Sequence, residues 1–168
     1  MKRISTVILL LLVSSTQMFG MPSWSTFTST EGRYSILMPS EPTTSTQEGT
    51  AADGTTKFPQ YLATSGGSTT AYMVGYYDVP SGLVYDFDKT RDGVVAAVKG
   101  AILSESSISL GGYSGHEVKI FVKGLDKVAD STMRVRFYEI RNRIYVVMCT
   151  SSETVDAGRY FDSFSVTN

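Results

Sequence analysis

Apolar and polar residues alternate along residues 133–140, and residues 144–149 are almost all apolar. A period of two with β-branched and aromatic residues predicts a strand with one buried face, and the apolar run predicts a strand covered on both faces. Between the runs lie Arg141, Asn142 and Arg143. We predict a hairpin with a two-residue turn at Asn142 and Arg143, because asparagine tolerates a positive φ.

The position of that turn sets a register for the hairpin. It places Phe137 opposite Met148 and Arg136 opposite Cys149, with the row that contains Phe137 facing the core. A slip of one residue would turn that row to the other side of the sheet.

Other segments repeat the strand pattern. Pro59 predicts an edge position for the strand that contains it, because proline cannot donate a ladder hydrogen bond. Asp53 and Gly54 form a hairpin-turn signal. The further predicted strands cover residues 24–28, 34–38, 58–64, 69–79 and 118–122.

Two segments change to a helical period. Asp88 can cap the first predicted helix, and Thr150 begins a capping box for the second. Each helix follows a strand and has an apolar face to bury, so the sheet is its expected partner. The apolar faces are Val94, Val98, Ala101 and Ile102 in the first helix, and Ala157, Tyr160, Phe161 and Phe164 in the second.

The first 20 residues have the pattern of a secretory signal peptide. Lys2 and Arg3 precede a short apolar run and a polar segment, although Met18 fits the cleavage pattern poorly. We expect residues 1–20 to be a leader, or an uncleaved membrane anchor, and residues 21–168 to be one exported domain that is periplasmic or extracellular. Removal of the leader takes away two basic residues and no acid, so the formal charge moves from −1 to −3. This balance argues against a nucleic-acid partner.

Cys149 is the chain's one cysteine, so no internal disulfide can form. A small buried apolar side chain is the favoured interpretation, since free cysteine is usually buried. The alternative is a reactive thiol activated by Arg136 across the hairpin.

Residues 112–116 read Gly-Tyr-Ser-Gly-His and resemble the turn that presents a hydrolase serine. The second glycine comes one place early, a strand follows where a helix is needed, and His116 is expected to point elsewhere. A hydrolase that uses Ser114 or another serine is therefore the alternative function. The favoured interpretation is a tight glycine turn that enters a strand.

Two charged clusters have functional and structural interpretations. Capping and helix-dipole placement explain the acids Asp78, Asp86, Asp88 and Asp92 better than cation binding does. An anion or an acidic partner could bind the strand face of Arg134, Arg136, Tyr138, Tyr145 and Lys119. Arginine stems packed under a helix, with their charged heads in water, are the favoured interpretation. We expect no cofactor and no metal; no second histidine or cysteine pair exists for zinc.

Four segments together resemble the PsbP-like superfamily: residues 24–39 (WSTFTSTEGRYSILMP), 72–80 (YMVGYYDVP), 110–117 (LGGYSGHE) and 159–164 (RYFDSF). This superfamily includes the extrinsic subunit of the photosynthetic oxygen-evolving complex and a nuclear-import factor that binds the GTPase Ran. The resemblance implies an α+β fold of about six to seven mainly antiparallel strands sandwiched by helices. It also implies a partner-binding protein that is not an enzyme. Many relatives have proline where this chain has Ser114.

Binding residues concentrate on loops, and a rigid turn that presents an aromatic holds a partner at low entropic cost. We therefore predict an exported, non-catalytic binding or assembly module for a protein or envelope component. Its predicted partner surface is Tyr113 and His116 with Arg141 and Arg143. Tyr113 folded back over the core is the structural alternative.

Overall fold

The computed structural model of the protein describes residues 24–50, 55–67, 69–124 and 128–167. The predicted leader (residues 1–20) and the Asp53-Gly54 turn signal lie outside these residues. In chain order, the elements are β1 (Ser25–Ser29), β2 (Tyr34–Met38), β3 (Thr43–Thr50), β4 (Lys57–Gly66), β5 (Thr70–Asp78), α1 (Phe87–Ala97), β6 (Ala101–Leu110), β7 (Tyr113–Val122), β8 (Ser131–Ile140), β9 (Arg143–Ser151), α2 (Gly158–Asp162) and β10 (Ser165–Val166).

Seven strands form one antiparallel sheet in the spatial order β3-β4-β5-β9-β8-β7-β6. The hairpin β8–β9, predicted from the alternating pattern, lies in its middle. A smaller antiparallel sheet has the order β1-β2-β10. The chain is therefore an α+β protein built on a seven-stranded antiparallel sheet, as the sequence predicts.

Each face of the large sheet has its own core. On one face, α1 packs against Val118, Ile120, Val135 and Phe137, which are at most 2% exposed. Phe87 at the start of α1 meets the Phe137 ring edge-on, with the ring centroids 5.8 Å apart. We name this the α1 face.

The small sheet and α2 cover the opposite face, which we name the α2 face. Tyr34, Ile36 and Met38 of β2 and Tyr160 and Phe161 of α2 are at most 2% exposed. The Tyr160 hydroxyl donates to the carbonyl of Met73, 2.6 Å away. Helix packing on one face and a mixed layer on the other bury the apolar rows that the strand periodicity predicts.

The predicted hairpin register is wrong, because the turn lies one residue earlier in the chain than predicted. The turn residues are Arg141 and Asn142, so Ile140 pairs with Arg143, Phe137 with Val146 and Arg134 with Cys149. Arg141 takes the positive φ, at 61°, instead of Asn142. The buried row keeps its face because Val146 and Met148 lie on the same side of β9.

The first predicted helix is correct in place but wrong at both ends. Its cap is Asp86, whose Oδ1 accepts from the Lys89 backbone nitrogen at 3.1 Å, and not Asp88. The helix ends before Lys99, which has φ of 50°. Gly100 follows; a Cβ there would lie 2.5 Å from Ile120 Cγ2, so the chain can turn tightly into β6. Ala101 and Ile102 are therefore strand residues.

The second predicted helix also begins later than the capping box indicated. Thr150 pairs with Ala71 and Met133 inside the sheet, and the cap of α2 is Ala157. Ladder bonds on both sides of β9 override the local capping signal. The predicted apolar stripe is correct: Ala157, Tyr160, Phe161 and Phe164 are all buried.

The strand with Pro59 is not at the edge, because β3 lies outside it. At Pro59, however, β4 is paired with a neighbouring strand on one side only. Pro59 pairs with Glu48 of β3, whereas the pairing of β4 with β5 begins at Tyr61. The missing proline donor is thus placed where no ladder bond is needed. Among the described residues, neither helix has the length and hydropathy needed to cross a membrane.

Candidate functional site

A cleft of about 400 Å³ opens at the end of the sheet where the β8–β9 turn, the β1–β2 turn and the start of β7 meet. We name it the turn cleft. Three of the four predicted partner-surface residues line it, namely Tyr113, Arg141 and Arg143. The other charged or tyrosine residues in its lining are Arg33, Asp78 and Tyr145.

Arg143 has a structural role in this cleft. Its Nε and Nη2 donate to the two carboxylate oxygens of Asp78, at 2.7 and 2.9 Å, across the β5–β9 pair. Its Nη1 donates to the Glu31 carbonyl at 2.8 Å, and its guanidinium lies 4.4 Å from the Tyr76 ring centroid. A two-point ion pair of this kind fixes the orientation of both side chains.

The β1–β2 turn is fastened to the large sheet next to Arg143. The Tyr145 hydroxyl donates to the Gly32 carbonyl at 2.8 Å, and the Gly32 nitrogen donates to Ser29 Oγ at 2.9 Å. The Thr167 nitrogen donates to the Arg33 carbonyl at 2.8 Å. These bonds hold Arg33 at the cleft, with its backbone at φ of 54°.

The β8–β9 turn is held in the same way. The Asn142 side-chain nitrogen donates to the Val79 carbonyl at 2.9 Å, and the Val79 nitrogen donates back to the Asn142 carbonyl at 2.9 Å. Asn142 therefore clamps the turn to the chain after β5. Its neighbour Arg141 extends from this fixed base and is exposed.

The turn cleft carries an excess of positive charge. Hydrogen bonds from Arg143, and then the charges of Arg143 and Arg33, hold the pKa of the Asp78 carboxyl below its usual range despite partial burial. Asp78 is thus ionised and neutralises one arginine. Within the described part of the chain, no carboxylate lies within ion-pair distance of Arg33 or Arg141.

His116 is separated from the other three predicted residues. It points to the α1 face of β7, where its ring stacks on Phe87 with centroids 3.7 Å apart and planes 13° apart. Tyr113 lies three positions earlier and so projects from the opposite face. Tyr113 is 38% exposed, so it does not fold back fully over the core.

Ser114 is the second residue of β7 and is exposed. It shares a strand face with His116, which corrects the expectation that the histidine points elsewhere, but the imidazole stacks on Phe87. Gly111 and Gly112 supply a tight turn, with φ of 56° and 88°. Gly115 gives room for the Tyr138 ring, since a Cβ there would lie 2.5 Å from Tyr138 Cδ1. These glycines shape a strand entry of the kind predicted.

Arg134 and Arg136 pack under α2, as the favoured interpretation predicts, but their guanidinium groups are bonded within the protein instead of reaching water. Both donate to Glu117 Oε2, at 2.6 and 2.7 Å, and their guanidinium carbons lie 4.5 and 4.9 Å from the Phe161 ring centroid. Burial raises the pKa of Glu117, but hydrogen bonds and charges from the two arginines more than offset this and lower it. The carboxylate already occupies the place where an external anion would bind.

The acidic cluster divides into separate ion pairs. Asp78 pairs with Arg143, Asp86 caps α1, and Asp88 and Asp92 both pair with Arg91, at 2.9 Å each. The residues that the structure describes contain no group of three or more His, Cys, Asp or Glu side chains placed to hold a metal ion.

Cys149 is 3% exposed, in agreement with the favoured interpretation. Burial raises the pKa of its thiol to about 11, and the positive charge of Arg134 lowers this pKa by a smaller amount. Arg134, and not Arg136, is its partner across the hairpin. A thiol with so high a pKa is a weak nucleophile at neutral pH.

Sequence reasoning did not include Arg33 among the candidate residues. The Glu31-Gly32-Arg33 turn is recognisable from the sequence, but no local pattern brings it to Arg141, more than 100 positions away. The bonds from Arg143 and Tyr145 to that turn create the proximity.

No protein-family model and no curated protein matches the chain. Solved structures do. The solution structure of cyanobacterial PsbP (CyanoP) from Synechocystis sp. PCC 6803 is 15% identical, with a TM-score of 0.49 over 92% of this chain and 98% of that one. A Bacteroides thetaiotaomicron crystal structure is 13% identical, with a TM-score of 0.48 over 85% of this chain and 48% of that one.

A PsbP protein is thus among the structures to which this chain is similar, as the sequence motifs predicted. The chain's own sheets and helices define its α+β fold class. With identities this low and TM-scores below 0.5, no function, partner or site residue is carried over from these structures.

Proposed function

We propose that the protein is a non-catalytic binding module that holds an acidic segment of a protein partner in the turn cleft. One observation carries this proposal: Arg33 and Arg141 lie on two rigidly anchored turns in the same cleft, with no carboxylate partner among the described residues. The N-terminal sequence supports export of the module through residues 1–20.

The anchoring of the two turns reduces the cost of binding. The bonds from Tyr145, Arg143 and Asn142 fix the backbone beneath Arg33 and Arg141 before any partner arrives. A flexible loop would lose conformational entropy when a partner binds. These two turns have already lost it on folding, so binding costs less.

The chemistry of the cleft favours carboxylates. A guanidinium presents planar donors that match a carboxylate oxygen pair, and two such groups can bind successive acidic side chains. Tyr113 adds an aromatic contact of the type common at interfaces. The volume of about 400 Å³ suits one or two side chains of a protein segment.

Two features support a non-catalytic role. The His116 imidazole is engaged in the stack on Phe87. The Cys149 thiol is buried, with a raised pKa. A catalytic nucleophile and its base must lie within hydrogen-bond reach of each other. His116 and Cys149 are engaged in other contacts and do not form such a pair.

The test is a nuclear magnetic resonance titration with an acetylated glutamate-rich peptide and its glutamine-rich counterpart. We expect saturable amide shifts at residues 31–33, 141–143 and 166–167 with the glutamate peptide alone. Arg33→Asn with Arg141→Asn should weaken binding about tenfold or more, as the loss of two charge-assisted contacts implies.

Asparagine is the chosen replacement because it tolerates a left-handed backbone. Lys99→Asn is the matched control: Lys99 has φ of 50°, is exposed, and does not line the cleft. It loses one positive charge, against two in the double variant, at a residue with the same backbone conformation. Equal binding by the double variant and the control, or equal binding of both peptides, would overturn the proposal.

A further inference from the structure

One edge of the seven-stranded sheet is long and open. β6 pairs with β7 alone, and no other described strand lies beside it. Its residues from Ala101 to Ser107 are exposed, so no described layer covers this part of the strand on either face. The unpaired side of an edge strand presents a row of backbone N–H and C=O groups to which another strand can bind.

The two edges of the sheet differ in composition. The opposite edge strand, β3, has the sequence TTSTQEGT and contains no aliphatic or aromatic residue. Half of the ten residues of β6 are apolar, and it contains no lysine and no proline, the residues that commonly protect an edge. Its one charged side chain, Glu105, is bound to Arg91 of α1 at 3.0 Å. β6 is thus the less protected of the two edges.

The regular part of β6 runs from Ser104 to Leu110. An irregularity of the β-bulge type interrupts the register between Ile102 and Ser104, and from Ser104 onward each residue pairs with β7 without a break. A bulge bends and twists its strand locally, so the first three residues are not aligned with the rest of the edge. Residues 104–110 therefore form a straight edge whose central residue is Ser107.

The β6–β7 turn determines which backbone groups of this edge are free. Leu110 pairs with Tyr113 across the two-residue turn at residues 111–112. The pair that closes such a turn exchanges backbone hydrogen bonds, and bonded pairs alternate with unbonded pairs along an antiparallel ladder. Every second residue of β6 therefore bonds to β7. The residues between them direct their N–H and C=O groups to the open side, and these are Glu105, Ser107 and Ser109.

We propose that β6 pairs antiparallel with β6 of a second copy of this chain, about a two-fold axis at Ser107. Ser107 then pairs with Ser107 of the second copy, and each Glu105 pairs with a Ser109. These three pairs supply about six backbone hydrogen bonds, because the outward-directed residues are spaced symmetrically about the axis. The contact uses no residue that lines the turn cleft, so it is independent of the acidic segment proposed there.

The charges and sizes of the side chains make β6 complementary to itself. The axis at Ser107 places a serine opposite each Glu105, so no carboxylate directly faces another. On the α2 face, each Ile108 lies opposite Ser106 of the other copy and diagonally beside the other Ile108, at about 7 Å. Large residues thus meet small ones, with an apolar contact across the axis. A two-fold pairing of this kind is closed and joins two chains only.

Neither face of the described chain obstructs the second copy. α1 packs against β7 and β8, and α2 lies over Arg134 and Arg136 of β8, so both layers stop short of β6. The strands of the two copies would be about 4.8 Å apart, the ordinary spacing within a sheet.

The test is amide hydrogen exchange, followed by nuclear magnetic resonance on the full-length protein at about 20 µM and about 1 mM, a range that brackets a dissociation constant near 0.1 mM. We expect the amides of Glu105, Ser107 and Ser109 to exchange at least about threefold more slowly at the higher concentration. The amides of β3 should exchange at the same rate at both concentrations and serve as the internal reference.

Ser107→Glu is the test variant, and Ser107→Gln is its matched control of equal size without charge. The new glutamates would face each other across the axis, beside Glu105 of both copies. Sedimentation should show association weakened about fivefold or more by Ser107→Glu and unchanged by Ser107→Gln. Both variants should melt near the temperature of the unchanged protein, because Ser107 is exposed.

Three results would overturn the β6 pairing. One is a single-chain mass at every concentration, which would exclude a second copy as the occupant of this edge. Another is equal association of the glutamate and glutamine variants. The third is concentration-dependent protection of β3 amides without protection of Glu105, Ser107 and Ser109, which would assign the contact to the opposite edge.

Discussion

Arg33 and Arg141 hold the same left-handed backbone conformation on two different turns, with φ of 54° and 61°, and both line the turn cleft. Most side chains lose about 1–2 kcal/mol in this conformation, whereas glycine and asparagine adopt it readily. Arginine at both positions is thus costly for folding. Sites that retain such strain are often functional.

We predict that Arg141→Asn stabilises the protein by about 0.5–1 kcal/mol, because the strain is relieved and the arginine side chain makes no ion pair within the described part of the chain. Chemical denaturation measures the change in the free energy of unfolding. Lys99→Asn should give a similar gain, as its backbone conformation is the same. A loss of stability at Arg141 alone would show that the arginine supports the fold.

Asp78→Asn should affect stability and binding in opposite directions. The amide weakens the pair with Arg143, which costs about 1 kcal/mol because Asp78 is 60% exposed. It also removes the one carboxylate among the described residues that line the turn cleft, so the glutamate-rich peptide should bind more tightly. Calorimetric titration beside a melting curve checks both signs. Weaker peptide binding by a folded variant would contradict the charge argument.

Phe137→Ala should cost about 3–5 kcal/mol of unfolding free energy, the usual penalty for a buried aromatic. Phe137 is 2% exposed, pairs with Val146 and meets Phe87 edge-on. A loss below about 1 kcal/mol, typical of a surface position, would show that the α1 face is not a packed core.

Glu117→Gln should make the free energy of unfolding depend less on pH in the acidic range. The folded protein holds the pKa of Glu117 below the ordinary value of 4.5, so its stabilisation is complete above that pH and is lost as the pH falls further. At neutral pH the variant should be about 3 kcal/mol less stable, because two partly buried arginines lose their counter-charge.

The two proteins should approach equal stability as the pH falls below 4.5. Denaturation midpoints measured from pH 7 to pH 3 provide the check. A stability difference that does not change with pH would mean that Glu117 is not the titrating group.

The α+β class and the central hairpin could be predicted because β8 and β9 bury one or both faces, and burial imposes an apolar pattern on the sequence. β6 could not. Its residues from Ala101 to Ser107 are exposed, since it lies at the sheet edge with no layer over it, and an uncovered strand has no apolar row. Tertiary pairing likewise extended β9 through Thr150, against the local capping signal.

The candidate site was predictable in part. The exposed turn residues Tyr113, Arg141 and Arg143 could be proposed because polar turns lie at the surface. The capture of Arg143 by Asp78, the stack of His116 on Phe87 and the arrival of Arg33 all depend on contacts between distant segments. Local sequence patterns do not contain that information.

The most direct test of the central claim places a photoreactive phenylalanine analogue at Tyr113 in the full-length protein and at Val128 as a control. Val128 is 71% exposed and does not line the turn cleft. We predict one discrete protein adduct at position 113, none at position 128, and loss of the adduct when Arg33→Asn and Arg141→Asn are combined. An adduct that survives removal of both arginines, or the same adducts at both positions, would contradict partner binding in the turn cleft.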